Sequence, residues 1–159
     1  MTRRFFLAVL LAGASAQISL DAQAPSPSWF GTWALNVPKS TDASTPSAFR
    51  RGTYTIAPWR DGVQFTYALV RVRGGVTHLE WRGRMDGRDY PVAGIEAVVT
   101  AAYSRVDERT FSVVQKVDGQ VTATATMTLS PDGRSITTVT TAKSTDGPST
   151  TSTMVYDKQ

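Results

Sequence analysis

Residues 121–129 read Val-Thr-Ala-Thr-Ala-Thr-Met-Thr-Leu, and this stretch decides the fold. Apolar side chains occupy every odd position from Val121 to Leu129, and threonine occupies every even position between them. Successive side chains of a β-strand point to opposite faces of the sheet, so alternation with period two indicates a strand with one buried face. The stretch therefore predicts a half-buried antiparallel strand.

Short turn signals flank this strand and recur along the chain. Asp-Gly pairs occur at 61–62, 86–87, 118–119, 132–133 and 146–147, and Gly74-Gly75 adds a further pair. Such pairs favour tight hairpins, because glycine accepts a positive φ and aspartate tolerates the left-handed region. The segments between them predict about ten strands, at 31–37, 51–58, 63–73, 76–84, 88–92, 95–104, 110–117, 120–129, 135–142 and 150–156.

Helix signals are weak throughout. The best candidate, Pro38 to Arg50, contains two prolines and lacks an apolar stripe. Ten consecutive strands joined by short turns must protect their edges, and closure into a barrel does so most completely. The sequence thus predicts an all-β protein, an antiparallel up-and-down β-barrel. A two-sheet sandwich is the alternative, although its Greek-key connections usually need longer crossovers.

Composition limits the chemistry. The 159 residues, 41% of them hydrophobic and 19% charged, describe one ordinary globular domain. The absence of cysteine excludes a disulfide scaffold and any cysteine-ligated metal, and the single histidine, His78, excludes a multi-histidine site. We therefore expect no metal and no cofactor.

The first residues are typical of a secretory signal peptide, which we assign to residues 1–16. Arg3 and Arg4 precede an apolar run, and Ala14-Ser15-Ala16 offers a small-x-small cleavage pattern. The apolar run is too short to cross a hydrocarbon core of roughly 30 Å, so no transmembrane segment is expected after cleavage. We expect an exported protein, periplasmic or extracellular, with a flexible tether at 17–28 and a barrel domain at 29–158.

Signal cleavage also lowers the net charge. The chain has 17 basic and 13 acidic residues, and removal of Arg3 and Arg4 leaves 15 against 13, a net of +2. Binding to nucleic acid needs many clustered cations. A nucleic-acid partner is therefore not expected.

Both ends of the barrel domain resemble known ligand-binding barrels. The run Phe30-Gly31-Thr32-Trp33-Ala34-Leu35 resembles the opening strand of fatty-acid-binding proteins, and its G-x-W is also the lipocalin entry motif. The run Met154-Val155-Tyr156-Asp157-Lys158 resembles the closing strand of fatty-acid-binding proteins, roughly R-x-Y-E-K. Asp86 to Val92 is similar to a segment of uncharacterised, secreted, lipocalin-like proteins of soil bacteria. The resemblance implies a calycin-like barrel of ten strands that binds a small hydrophobic ligand.

Two departures from that family limit what the resemblance implies. Fatty-acid-binding proteins insert a helical lid after the first strand, and Pro38 to Arg50 is too short and too rich in proline to supply it. Their closing strand presents an arginine and a tyrosine to the ligand carboxylate. Here Tyr156 matches the tyrosine, but Met154 stands at the arginine position. The barrel is thus implied, whereas the carboxylate anchor is not.

Six residues are candidates for lining a ligand cavity, because they fall on faces interpreted as inward. They are Val70, Leu79, Trp81, Met127, Met154 and Tyr156. Large aromatic and methionine side chains suit adaptable apolar contacts. The alternative is that they simply fill the core, giving a filled barrel that acts as an envelope structural or protein-interaction module. A cavity above about 300 Å³ would favour a ligand site.

A two-residue turn at Gly74-Gly75 would pair Arg71 with His78 and Tyr67 with Arg82. That register predicts a cationic face that includes Arg71 and Arg82 and an apolar face that includes Val70 and Trp81. The cationic face could line a wet cavity for an anion, but the cost of desolvating several guanidinium groups favours the outer surface. His78 and Glu80 could form an acid–base pair, yet no nucleophile motif accompanies them. No catalytic residue is therefore assigned, and no enzymatic activity is expected.

Overall fold

The computed structural model describes residues 25–41, 49–144 and 147–159. These residues form two short 3-10 helices, Pro27–Trp29 and Val37–Lys39, and ten β-strands. The strands are β1 (Gly31–Leu35), β2 (Phe49–Trp59), β3 (Gly62–Arg71), β4 (Val76–Gly83), β5 (Tyr90–Ala93), β6 (Val99–Asp107), β7 (Thr110–Val117), β8 (Gln120–Leu129), β9 (Ser135–Ala142) and β10 (Thr150–Lys158).

The strands form one closed antiparallel barrel. Each strand pairs with its neighbours in the chain, and β1 pairs with β10 to close the sheet. In that closing ladder Trp33 is opposite Lys158, and Leu35 is opposite Tyr156. The predicted fold class is confirmed: the protein is an all-β, ten-stranded, up-and-down barrel, and the sandwich alternative is wrong.

Strand β8 shows why the alternation of the sequence builds this wall. Met127 and Leu129 are buried, whereas Thr126 and Thr128 are exposed. The bounds of β7, β8 and β9 agree with those expected from the sequence. Strand β6 begins later than expected, at Val99, because the chain first turns at Gly94. The φ of Gly94 is +96°, and a Cβ there would lie 2.1 Å from the carbonyl oxygen of His78, so only glycine fits.

The predicted register of the β3–β4 hairpin is wrong. The last pair before the turn is Val70 with Val76, and Phe65 lies opposite Trp81. A longer loop replaces the two-residue turn, with the amide of Arg71 donating to the carbonyl of Gly75 at 3.1 Å. The predicted and observed registers differ by an odd number of residues. Each residue of β3 therefore shares a face with the β4 residues that were expected on the opposite face. The observed register buries Phe65 beside Trp81, whereas the predicted one would place it on the cationic face.

This register changes the outer surface of the hairpin. His78 pairs with Ala68 and Glu80 pairs with Thr66, so the predicted continuous cationic face is not formed. Arg71 and Arg82 are both exposed. Arg82 donates to the carboxylate of Glu80 at 3.0 Å, on the outside of the barrel.

Some predictions fall on segments outside the described residues. Residues 1–24 are among these, so the signal peptide and most of the tether stay predictions. Within the remainder of the tether Pro25 is buried, and the carbonyl of Ser28 accepts a hydrogen bond from Lys158 Nζ at 2.8 Å. Residues 42–48, in the predicted helix-poor connection, are outside as well.

Aromatic side chains close the end of the barrel where the chain enters. Trp29 and Trp33 are fully buried there. The indole of Trp33 donates to the carbonyl of Trp29 at 3.1 Å, and the indole of Trp29 donates to the carbonyl of Glu108 at 3.1 Å. The ring of Phe111 lies 4.4 Å from that of Trp29, centroid to centroid. This packed plug fills the closed end, so any interior space must lie toward the other end.

No helix within the described part of the chain is long and apolar enough to cross a membrane.

Candidate functional site

A cavity of about 260 Å³ lies inside the barrel, between the aromatic plug and the open end. Ile95, which precedes β6, lines this cavity and is 42% exposed. The cavity therefore reaches the rim of the barrel. Its volume falls just short of the roughly 300 Å³ that marks the lower end of drug-sized ligand sites.

Small inward side chains leave this space. Ala101 on β6 and Ala123 and Ala125 on β8 line the cavity. The next two inward residues of β8, Met127 and Leu129, have large side chains, and both are buried. The inward face of β8 thus contributes to two layers of the interior: small alanine side chains surround the cavity, and large side chains fill the layer below it.

Five of the six cavity candidates named from the sequence line this space: Leu79, Trp81, Met127, Met154 and Tyr156. Val70 does not. It pairs with Val76 and follows Leu69, which lines the cavity, so alternation along β3 directs Val70 to the face opposite the cavity, where it is nevertheless buried. Its assignment as an inward residue followed from the wrong hairpin register. Ligand binding by the other five stays a prediction.

Four tyrosines gather at the floor of the cavity: Tyr54, Tyr103 and Tyr156 are buried, and Tyr67 is half-buried. The rings of Tyr54 and Tyr67 stack with centroids 4.0 Å apart, and the ring of Tyr156 lies 5.6 Å from that of Tyr54. Desolvation by burial is the main cause that raises the pKa of each, and it brings the pKa of Tyr103 to about 12. All four phenols are therefore neutral donors near pH 7.

Two of these hydroxyl groups donate to a methionine sulfur. Tyr54 donates to Met127 Sδ at 3.7 Å, and Tyr156 donates to Met154 Sδ at 3.4 Å. A thioether is a weak acceptor. Tyr156 can therefore give this bond up to a better acceptor at little cost.

Thr138 lies between the two methionines. It is the cross-strand partner of Met127 on β8 and of Met154 on β10. Its side chain lines the cavity, and its hydroxyl oxygen is buried without a hydrogen-bond partner. An unsatisfied buried hydroxyl is unfavourable, and such groups in folded proteins usually have a protein, water or ligand partner.

None of the described residues places the charged group of its side chain in the cavity. Glu80 borders it where β4 and β5 share only two residue pairs. Its carboxylate is nevertheless bound on the outer face, by Gln64 Nε2 at 2.8 Å and by Arg82 at 3.0 Å. His78, two residues away on that outer face, is exposed. The pair considered for acid–base chemistry is thus outside the cavity.

A second depression, of about 470 Å³, lies outside the barrel on β7, β8 and β9. It is bordered by exposed threonines, among them Thr126 and Thr128. Within the described ranges no group of three or more His, Asp or Glu side chains could hold a metal ion. The interior cavity is therefore the candidate site.

Sequence reasoning missed several residues of this site, chiefly Tyr67, Tyr103 and Thr138. Tyr67 lies between Phe65 and Leu69 on one face of β3, an apolar spacing that could have revealed it. Thr138 gave no such signal, because threonines occupy both faces of β9.

No protein-family profile and no curated protein matches this chain. Among solved structures, it is similar to the zebrafish ileal bile acid-binding protein complexed with cholic acid, with 9% identity and a TM-score of 0.48, over 83% of this chain and 99% of that one. It is also similar to the siderocalin Ex-FABP, with 13% identity and a TM-score of 0.38, over 83% of this chain and 71% of that one.

Proposed function

We propose that this protein is an exported, lipocalin-like barrel that binds a small apolar molecule in its interior cavity and has no catalytic activity. The observation that carries the proposal is the layer of inward alanines, which leaves about 260 Å³ open to the rim above a filled aromatic plug. A filled barrel would have large side chains at those positions.

The size of the cavity defines the size of the ligand. Apolar cavities of roughly 150 Å³ stay dry and bind benzene, whereas drug-sized ligands occupy about 300–1,000 Å³. A cavity of about 260 Å³ lies between these cases. We therefore expect a compact ligand, larger than benzene and smaller than a typical drug.

Filling the alanine layer tests this function. Ala125→Leu adds a side chain to the cavity wall without displacing the plug, so the unfolding midpoint should stay near that of the unmodified protein. Binding of ethylbenzene, measured by isothermal titration calorimetry, should weaken at least tenfold because the added atoms occupy the ligand's space. Thr126→Leu, one residue away on the exposed outer face, is the matched control and should leave binding unchanged.

Two outcomes would contradict the proposed function. One is an unmodified protein that does not bind ethylbenzene. The other is a large loss of stability in Ala125→Leu, because overpacking a filled core costs about 1–3 kcal/mol.

Export is part of the same proposal and is supported by the charged and apolar pattern of residues 1–16. The mature protein from its natural host should be found outside the cytoplasm and begin at Gln17, which N-terminal sequencing measures. A cytoplasmic chain that retains Met1 would contradict export and leave the cavity proposal intact.

A further inference from the structure

The floor of the cavity differs from its walls in chemistry. The walls are mostly apolar, with Leu69, Leu79 and Val113 among the residues that line them. The floor instead includes the hydroxyl of Tyr156, whose partner is a sulfur, and the hydroxyl of Thr138, which has no partner. A purely apolar ligand would leave these groups as they are, and a ligand with one oxygen at its inner end would satisfy them.

Resting on the proposed function, we infer that Thr138 and Tyr156 form a subsite for one uncharged oxygen of the ligand, such as the oxygen of a ketone, ester or alcohol. Thr138 supplies the buried hydroxyl that has no partner. Tyr156 supplies a phenol that now donates to Met154 Sδ at 3.4 Å, two residues away on the same inward face of β10. Each can donate one hydrogen bond to an oxygen, which carries two lone pairs.

No cationic side chain of the described residues borders the cavity, so the oxygen that binds there should be uncharged. Within the described residues, the only charged residue that borders the cavity is Glu80, and its carboxylate is bound outside. A carboxylate buried without a cation would be strongly disfavoured. An ammonium group would likewise have no anionic partner at the floor, so the bound atom is an uncharged acceptor.

A double comparison of ligand and variant tests the subsite. Acetophenone and ethylbenzene have similar size, but only acetophenone has a carbonyl oxygen. Thr138→Val should weaken acetophenone binding about fivefold, as expected for one neutral hydrogen bond, and leave ethylbenzene binding unchanged. Calorimetric titration of both ligands into both proteins gives the four affinities required.

Further variants separate binding from structure. Thr138→Ser keeps the hydroxyl and should restore the affinity for acetophenone, the ligand with the carbonyl oxygen. Thr140→Val removes the other inward hydroxyl of β9 that lines the cavity, and it should affect the two ligands equally. The unfolding midpoint of Thr138→Val should not fall below that of the unmodified protein, since the lost hydroxyl makes no hydrogen bond.

The outcomes distinguish the two proposals. If neither ligand binds the unmodified protein, the proposed function fails and the subsite fails with it. If both ligands bind, and Thr138→Val changes both affinities equally or changes neither, the subsite alone is wrong. A loss confined to acetophenone, restored by serine, supports the subsite.

Discussion

We expect Trp33→Ala to lower the free energy of unfolding by about 3–5 kcal/mol, the range for truncation of a large buried aromatic side chain. Trp33 is 0% exposed at the centre of the closed end, and its indole donates to the carbonyl of Trp29. The variant loses that buried packing and leaves a void. It also leaves the carbonyl of Trp29 without the indole that donates to it. Urea denaturation followed by far-UV circular dichroism measures the change.

Trp59→Ala is the matched control for this prediction. Trp59 ends β2, is only half-buried, and contacts the guanidinium groups of Arg60 and Arg82 at 4.7 and 5.8 Å from its ring centroid. Contacts of this kind at partly exposed sites contribute about 0.5–1 kcal/mol, so the loss should be near that size. Equal losses in the two variants would show that the closed end is not the main source of stability.

We expect Met154→Arg to shift the preference of the protein from neutral ligands toward anions by about tenfold to a hundredfold. The side chain of residue 154 lines the cavity beside Tyr156, so arginine there would place a guanidinium against the ligand. A hydrogen bond to a charged group contributes about 1.5–3 kcal/mol, and each 1.4 kcal/mol is a factor of ten in affinity. Competition between octanoate and octan-1-ol at pH 7 measures the ratio.

Two control variants isolate the cause of that shift. Met154→Gln has a similar length without charge, and Val155→Arg puts the same charge on the neighbouring residue, whose side chain alternation directs to the outer face. Neither should change the ratio. The unmodified protein should show no preference for octanoate, and a tenfold preference for it would mean that a cation reaches the cavity.

The outer walls of this barrel were largely predictable from the sequence. Strand β8 has a strict threonine and apolar alternation, and Asp118-Gly119 and Asp132-Gly133 bound it with turns, so its limits followed from local physics alone. The closing pair of β1 and β10 followed from the resemblance of both chain ends to one family. These features are carried by residues close together in sequence or by short motifs.

The cavity floor was less predictable, because it depends on register. The pair Gly74-Gly75 suits a two-residue turn, but burial of Phe65 and Tyr67 beside Trp81 and Leu79 decides the pairing instead. That error placed Val70 inward and Tyr67 on the cationic face. Thr138 was hidden for a different reason: threonines occupy both faces of β9, and only the folded barrel shows that the buried hydroxyl of Thr138 has no hydrogen-bond partner.

Closure of the sheet by its first and last strands constrains the order of folding. β1 cannot complete its second ladder until β10 is available, and those contacts join segments from opposite ends of the chain. Folds dominated by such non-local pairings have high contact order and fold in milliseconds to seconds rather than microseconds. Before that step β1 and β9 each present an unpaired edge, the structure most prone to intermolecular strand addition. The nascent barrel is therefore exposed to aggregation until its last nine residues of sheet, Thr150–Lys158, are in place.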